Sequence, residues 1–380
     1  MALVLARDEA PALFAAVEVL FDIEAARPVL AALAARAGAY QSPAFLEAWA
    51  RAFQRRLVLV VARDEAGEPL AALPLHIVRL GPLGIARFAG DGWANFHFGL
   101  FRDPASWRAR DVKALLRAAA RTAGVDLYAF MHCPSTVMGE ANPMGTLTGV
   151  GSPSPAMATR LGATHADWLD AHFSHATQKK LRKKFKKLEV FGKVAHCRAR
   201  DEAEARRFLD AMFAHKAGQA QARGEPDSFA QAPVRDLLGR LALGAAPTME
   251  LHALVAGERV VAVLGALASG RQLSGLVISH DGDATIAAAT PGVQLFAEVV
   301  RDARARGFDR VDLGVGEARY KRETCEVEER LRDLAYGVTP LGRIVAPLYL
   351  GVRAAMGAIK RNPALHARAR TLVLALRRRR

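Results

Sequence analysis

The chain has 380 residues, 51% hydrophobic and 24% charged, and its 53 Lys and Arg against 38 Asp and Glu give a net charge of +15. That length allows two domains around a substantial core; a mean hydropathy of +0.08 and the lack of any run of about 18 uncharged apolar residues exclude a membrane-spanning helix. Arg7, Asp8 and Glu9 come too early for a signal peptide, and the three isolated cysteines (Cys133, Cys197, Cys325) predict a reduced, cytoplasmic protein rather than a disulfide framework.

The positive charge is concentrated in two places. Ser174 to Lys193 holds eight Lys/Arg and one acid, a net +7, and Leu341 to Arg380 holds ten Lys/Arg and no acid. The rest of the chain is close to neutral, so the basicity belongs to one helix and one tail.

Residues 1 to about 55 are Ala-rich and predict mostly helix. LVLVVARDEAGEPLAALPLHIV predicts a hairpin turning at Glu65 to Glu68. In GDGWANFHF, Asp91, Trp93, Asn95 and His97 alternate, which predicts a strand presenting all four to a substrate cleft. A helix is expected over Trp107–Ala123, a strand over Val125–Met131, and a loop over MGTLTGVGSPSP. His165, His172 and His175 lack the further ligands of a metal set and read as surface histidines, so no metal is expected.

In QKKLRKKFKKLEVFG, Leu181, Phe185 and Leu188 recur at helical spacing and predict one buried stripe. Lys179, Lys180, Arg182, Lys183, Lys184, Lys186 and Lys187 put seven cations in nine residues, which repel one another and suit an anionic partner. A strand over Lys193–Arg200, helices over Ala203–Ala222 and Pro233–Leu243, and a hairpin turning at Gly257-Glu258 follow.

Arg271 to Arg322 then reads as strand, loop, capped helix and strand. Thr290 is the expected N-cap and Pro291 suits the first helical position. Gly292 would leave the amides of Gly292, Val293 and Gln294 open as an anion site. The second strand, Phe308 to Leu313, ends among Asp312, Glu317, Tyr320 and Lys321. The tail from Ile344 to Leu376 is amphipathic and basic, as expected of an interfacial helix on an anionic membrane, so a chain ending at Pro340 is expected to stay folded and active.

Strand, anion-holding helix and strand resemble the core of GNAT-type acyl-CoA transferases. VDLGVGEARYKRETC is similar to the DFxxGDExYK signature of the CelD/BcsL-like acyltransferases, relatives of the FemAB peptidyltransferases, with Asp312, Gly316, Glu317, Tyr320 and Lys321 at its positions. His215 and Lys216 match the family's His-Lys motif, although Gln219 and Ala220 replace the Arg and aromatic that follow it. The resemblance implies a mixed α/β fold of tandem GNAT-like domains, a degenerate one over residues 1–165 and an acyltransferase domain over 166–340, with a basic helical tail over 341–380. It implies an N- or O-acyltransferase using acetyl-CoA or another acyl-CoA on a small-molecule or saccharide acceptor of envelope or exopolysaccharide synthesis. Under it, Lys321 would steady an oxyanion, Tyr320 would protonate the leaving thiolate, and Asp312 or Glu317 would take the acceptor's proton. Thr290, Gly292, Val293 and Gln294 would hold the donor phosphates; Asp91, Trp93, Asn95, His97, His215 and Lys216 would meet the acceptor. Two alternatives stay open: an aminoacyl-tRNA-dependent FemAB-like transferase, and a non-catalytic scaffold of a polysaccharide-synthesis complex. Few aromatics accompany the cations, so nucleic acid enters only as tRNA in the first alternative.

Overall fold

The computed structural model describes residues 12–244, 246–362 and 364–365. Its first half runs β1 (Ala16–Leu20), α1 (Ile23–Ala32), α2 (Pro43–Ala52), β2 (Val58–Arg63), β3 (Pro69–Leu80), β4 (Leu83–Phe88), β5 (Leu100–Phe101), α3 (Ala109–Ala123) and β6 (Leu127–Pro134). The small strands β7 (Thr136–Val137), β8 (Glu140–Ala141) and β9 (Gly149–Gly151) and the longer β10 (Ala156–Arg160) lead out of it. The second half runs α4 (His165–His172), α5 (His175–Leu188), β11 (Val194–Arg198), α6 (Glu202–Arg223), α7 (Ala232–Ala242), β12 (Met249–Ala256), β13 (Arg259–Ser269) and β14 (Gln272–His280). It ends with α8 (Ala284–Ala288), α9 (Pro291–Ala305), β15 (Arg310–Val315), α10 (Arg319–Thr324), β16 (Val327–Glu329), β17 (Leu331–Gly337) and α11 (Pro340–Arg361).

Each half repeats one plan. Three antiparallel strands lead through a helix to a fourth strand parallel to the third: β2-β3-β4-α3-β6, then β12-β13-β14-α9-β15. The sheets run β1-β2-β3-β4-β6-β17-β9, with β5 on β3, and β11-β12-β13-β14-β15-β10-β16. The halves therefore trade strands across the expected boundaries at 165 and 340. β10 leaves the first half to pair with β15, and β17 returns from the second half to pair with β6.

The hydrophobic runs of β12 and β13 follow from burial on both faces. Leu251, Ala253 and Val255 meet α6 and α7, whereas Leu254 and Ala256 meet the Val293–Phe296–Val299 face of α9. α7 also packs against α2, in a cluster that takes in residues of α1 and α6, so one core joins the two halves. On the first sheet, Val58, Val60 and Ala62 face α3 while Leu59 and Val61 face the shared core.

Of the expected tail, residues 341–362 and 364–365 lie within the described residues. There α11 lies on β17, β9 and β6 rather than standing free. Leu350 is buried against Leu83, Ile85, Leu127 and Ala335. Arg353 donates to the fully buried Asp333 at 2.6 Å, and Thr339 caps the helix while donating to Asp126 at 2.8 Å. Residues 363 and 366–380 of the expected tail lie outside the described part.

Candidate functional site

β14 and β15 run parallel for only three residue pairs, Gln272–Arg310 to Ser274–Asp312. Beyond them β14 stays with β13 and β15 stays with β10, so the strands splay and leave a wedge between their carboxyl ends. A cavity of about 170 Å3 fills the wedge, lined by Asn95, Lys216, Phe229, Gly275, Tyr320 and Lys321 above an apolar floor that includes Leu264, Ile278 and Leu313.

Asn95 spans the opening. Its Nδ2 donates to the Gly275 carbonyl of β14 at 2.9 Å and to the Tyr40 hydroxyl at 2.6 Å, and its Oδ1 accepts from the Val315 amide of β15 at 3.4 Å. The insertion requires glycine at 314. A Cβ there would fall 2.2 Å from the Asn95 side chain, and the φ of +72° is left-handed. A bulge places that glycine: β10 pairs Met157 with Gly314 and Ala158 with Asp312, which leaves Leu313 extra, and Asp312 Oδ1 accepts from the Gly314 amide.

Asp312 is fully buried, its Oδ2 has no partner among the described residues, and burial pushes its carboxyl up to about 7. Lys321 Nζ donates to the Gly314 and Val315 carbonyls at 3.1 Å each, which leaves one of its three hydrogens for a ligand. Burial lowers its pKa, against the pull of Asp312. Burial also raises the Tyr320 phenol, so it stays protonated, and pulls Lys216 down to about 8. Lys216 lies 4.8 Å from the centre of the Phe229 ring, which also packs T-shaped against Trp93.

Other sequence-expected residues lie elsewhere. Residues 91–99 form no strand. Their alternation comes from Ala94, Phe96 and Phe98 turning into the core while turn and cross-chain bonds hold the backbone. Asp91 bonds Arg87 at 2.9 Å; burial raises its pKa, but His76 and Arg87 outweigh that and hold it below the carboxylate range. His97 is a core residue stacked on Phe88, with Nδ1 2.9 Å from the Met131 carbonyl. His215 faces the Val260 carbonyl and Ser279 hydroxyl rather than the cavity. Glu317 is exposed and does not line the cavity. His172 is no surface histidine: it stacks on Trp168 and bonds Glu326 at 2.9 Å.

The start of α9 also differs from expectation. Thr290 is left-handed (φ 55°) and turns its hydroxyl back to the Ala289 carbonyl, so it does not cap. The amides of Val293 and Gln294 donate to the Thr290 carbonyl, and the Gln294 side chain, buried, donates to Ala289. Of the three amides expected to be open, Gly292's is the one without a bond to Thr290. Gly292 lies over Ile278 at the cavity edge, with room for a Cβ. α5 packs on α8 and α9 beside this start. Its seven cations carry no ion pair among the described residues; all are exposed but Lys184, which is half-buried.

Tyr40, Gly275, Gly314 and Phe229 belong to the site without having been legible as such. The one local signal was AYQSPAF, where Tyr40 and Gln41 are buried polar residues just before the capped α2. No group of residues able to hold a metal occurs among those described, and no described helix is long and apolar enough to cross a membrane.

Comparison with known proteins bears on the fold. Residues 175–322 match the family described as an acetyltransferase (GNAT) domain. Among solved structures, FemX superposes with a TM-score of 0.61 at 10% identity, covering 87% of this chain and all of its own. L-PGS from Bacillus licheniformis gives 0.50 at 14% identity over 83% of this chain and 95% of its own, and a conserved protein of unknown function from Bacteroides thetaiotaomicron gives 0.51 at 9% over 84% and 99%. No curated protein sequence matches. The chain is a mixed α/β protein of tandem GNAT-like halves whose second half matches a GNAT acetyltransferase domain, and it shares its overall fold with FemX.

Proposed function

We propose that the protein transfers an acyl group from acyl-CoA to an amine or hydroxyl of a saccharide or envelope precursor, at the wedge between β14 and β15. The observation that carries this reading is the cavity itself: two lysines, a protonated phenol and an amide clamp converge where the strands separate, beside a helix start and a cationic helix. The donor's thioester carbonyl would enter the wedge, with its phosphates at Gly292 and the cations of α5. As the acceptor's nitrogen or oxygen bonds the carbonyl carbon, the oxyanion takes the third hydrogen bond of Lys321. The carbon–sulfur bond then breaks and Tyr320 protonates the departing thiolate. The acceptor's proton passes to Lys216, whose neutral form is within reach near neutral pH because of burial. Asp312 is sealed off and Glu317 lies outside the cavity, so neither is assigned that step; Asp312 instead sets the charge balance around Lys321. A larger interdomain cavity of about 790 Å3, lined by Tyr40, Gln41, Phe96, Phe98, Ser274 and Arg310 among others, meets the small one across the Tyr40–Asn95 wall and suits the acceptor.

Calorimetric titration with acetyl-CoA and longer acyl-CoAs tests this reading. Binding that is weakened in Gly292→Asp supports it; no binding to the folded protein at millimolar ligand rejects it. The unpaired cations of α5 favour one second reading, an aminoacyl-tRNA donor. Binding of tRNA that falls steeply with salt, with a log–log slope of about −0.7 per phosphate contact, would select that donor.

A further inference from the structure

The face of α11 turned away from the protein is apolar. Leu341, Ile344, Leu348, Val352, Met356 and Ile359 are all exposed, Ile344, Leu348 and Val352 at 65, 64 and 59%. At about 100° per residue they fall within one stripe about 120° wide and about 27 Å long. Gly342, Ala346, Leu350 and Gly357, about 100–180° round from the stripe's centre, lie on the side against the sheet, and half-buried Val345 and Tyr349 mark the edge between, so the exposed stripe is not the helix's packing face displaced by a turn. Monomeric proteins rarely leave so continuous an apolar surface in water. Ala355 lies within the stripe, and Gly351, Ala358, Pro347 and Ala354 continue it as an exposed band along one edge; none of them adds charge.

The charge around the stripe identifies its partner. No acid occurs after Asp333 in the sequence. Arg343 and Arg361 are exposed at the far edge of that band of small residues, while Arg353 is held by Asp333 and Lys360 bonds Ser154. The sequence after residue 365 adds Arg368, Arg370 and Arg377 to Arg380. An apolar helix face bordered only by cations matches the boundary between acyl chains and anionic headgroups. A protein partner would leave the arginines in need of matching acids, and a second copy would bring the same cations face to face.

We propose that α11 docks the protein on an anionic lipid bilayer, with Ile344, Leu348, Val352 and Met356 inserted among the headgroups and the arginines against phosphates. The proposal is independent of the reaction assigned to the wedge, because α11 contributes nothing to that cavity.

The test is flotation of the full chain with phosphatidylcholine vesicles, with and without phosphatidylglycerol. The wild type is expected to float with the anionic vesicles and to be partly released by salt. L348E/V352E, which alters only exposed positions, is expected to lose about tenfold or more of that partition, with an unchanged melting temperature and unchanged acetyl-CoA titration. Equal partition of the variant, equal binding to purely zwitterionic vesicles, or no flotation of the wild type would each overturn the proposal. So would a wild-type dimer that the double substitution converts to monomer while neither form binds vesicles, because the stripe would then be a contact between copies.

Discussion

Asn95 is the residue on which the wedge depends. Removing its amide in Asn95→Ala leaves the Gly275 carbonyl, the Val315 amide and the Tyr40 hydroxyl short of a partner, at an expected cost of about 1–3 kcal/mol. Gly314→Ala costs at least about 1 kcal/mol for its left-handed backbone and more for the collision with Asn95. The two should not add: with the Asn95 side chain gone, the Cβ at 314 has room, and urea unfolding of the double variant should show a coupling of about 0.5–3 kcal/mol. Full additivity would show that the clamp is loose in solution. Lys321→Met, which keeps the stem and removes the ammonium, should lower turnover about a hundredfold, as for loss of one preorganised oxyanion donor; a loss within a few-fold would leave Lys321 a brace for β15. Asp312 supplies a pH signature. Its folded pKa, about 7, lies above the ordinary carboxylate value of 3.8, so between those pH values the folded protein holds a proton that the unfolded chain has released. Its contribution to stability is therefore complete at low pH and is lost as pH rises through about 7. Asp312→Asn should flatten that part of the stability–pH curve, and an unchanged curve would remove Asp312 as its source.

Among the elements, the start of α9 and the charges of α5 separate the two donor readings. Gly292→Asp puts a carboxylate where phosphates are expected and should raise the apparent KM for the donor well above any change for the acceptor; equal changes would take the phosphates away from this helix. The elements themselves were largely legible in the sequence. The hairpin turning between β2 and β3 at residues 64–68, the helix at 109–123, the basic α5 with Leu181 and Phe185 inward and Leu188 buried, and the β12–β13 turn at Gly257-Glu258 all follow local pattern. What failed was local pattern without a ladder. Residues 91–99 alternate as a strand would, yet their backbone is satisfied by the His132 carbonyl, the Gln41 side chain and turns at Gly90. Thr290 failed as a cap for a comparable reason: α8 runs almost directly into α9, and the left-handed turn between them swings the hydroxyl backwards. In the first half, the stretch from β4 to α3 corresponds to the one that carries α8 and the α9 start in the second. It has become instead the arm that delivers Asn95 to its neighbour's wedge, a convergence of residues 95, 275 and 314 that no window of sequence contains.

At the scale of the molecule, the halves are joined by a common core, by Asn95 and by the exchanged strands β10 and β17, the second of which α11 covers. Chain termination after Pro340, expected from sequence to leave a folded enzyme, would strip β17 and β6 of their cover and leave Asp333 buried without Arg353. Arg353→Ala alone should destabilise by about 3 kcal/mol or more, the cost of leaving a buried charge unpaired. Truncation should cost more still, read as a lower melting temperature; a truncated chain as stable as the full one would mean that α11 rests on the sheet without supporting it.

The exchanged strands carry a consequence for synthesis on the ribosome. β6 is complete at residue 134, but its neighbour β17 begins at residue 331 and β9 joins the sheet only through β17. At elongation rates of about 5–20 residues per second, the edge of β6 waits roughly 10–40 seconds for its partner. During that interval Phe130 and its neighbours border an open ladder that any extended chain nearby could fill. The nascent protein should therefore lean on holdase chaperones through the whole translation of its second half, and slowing elongation there should lower soluble yield rather than raise it.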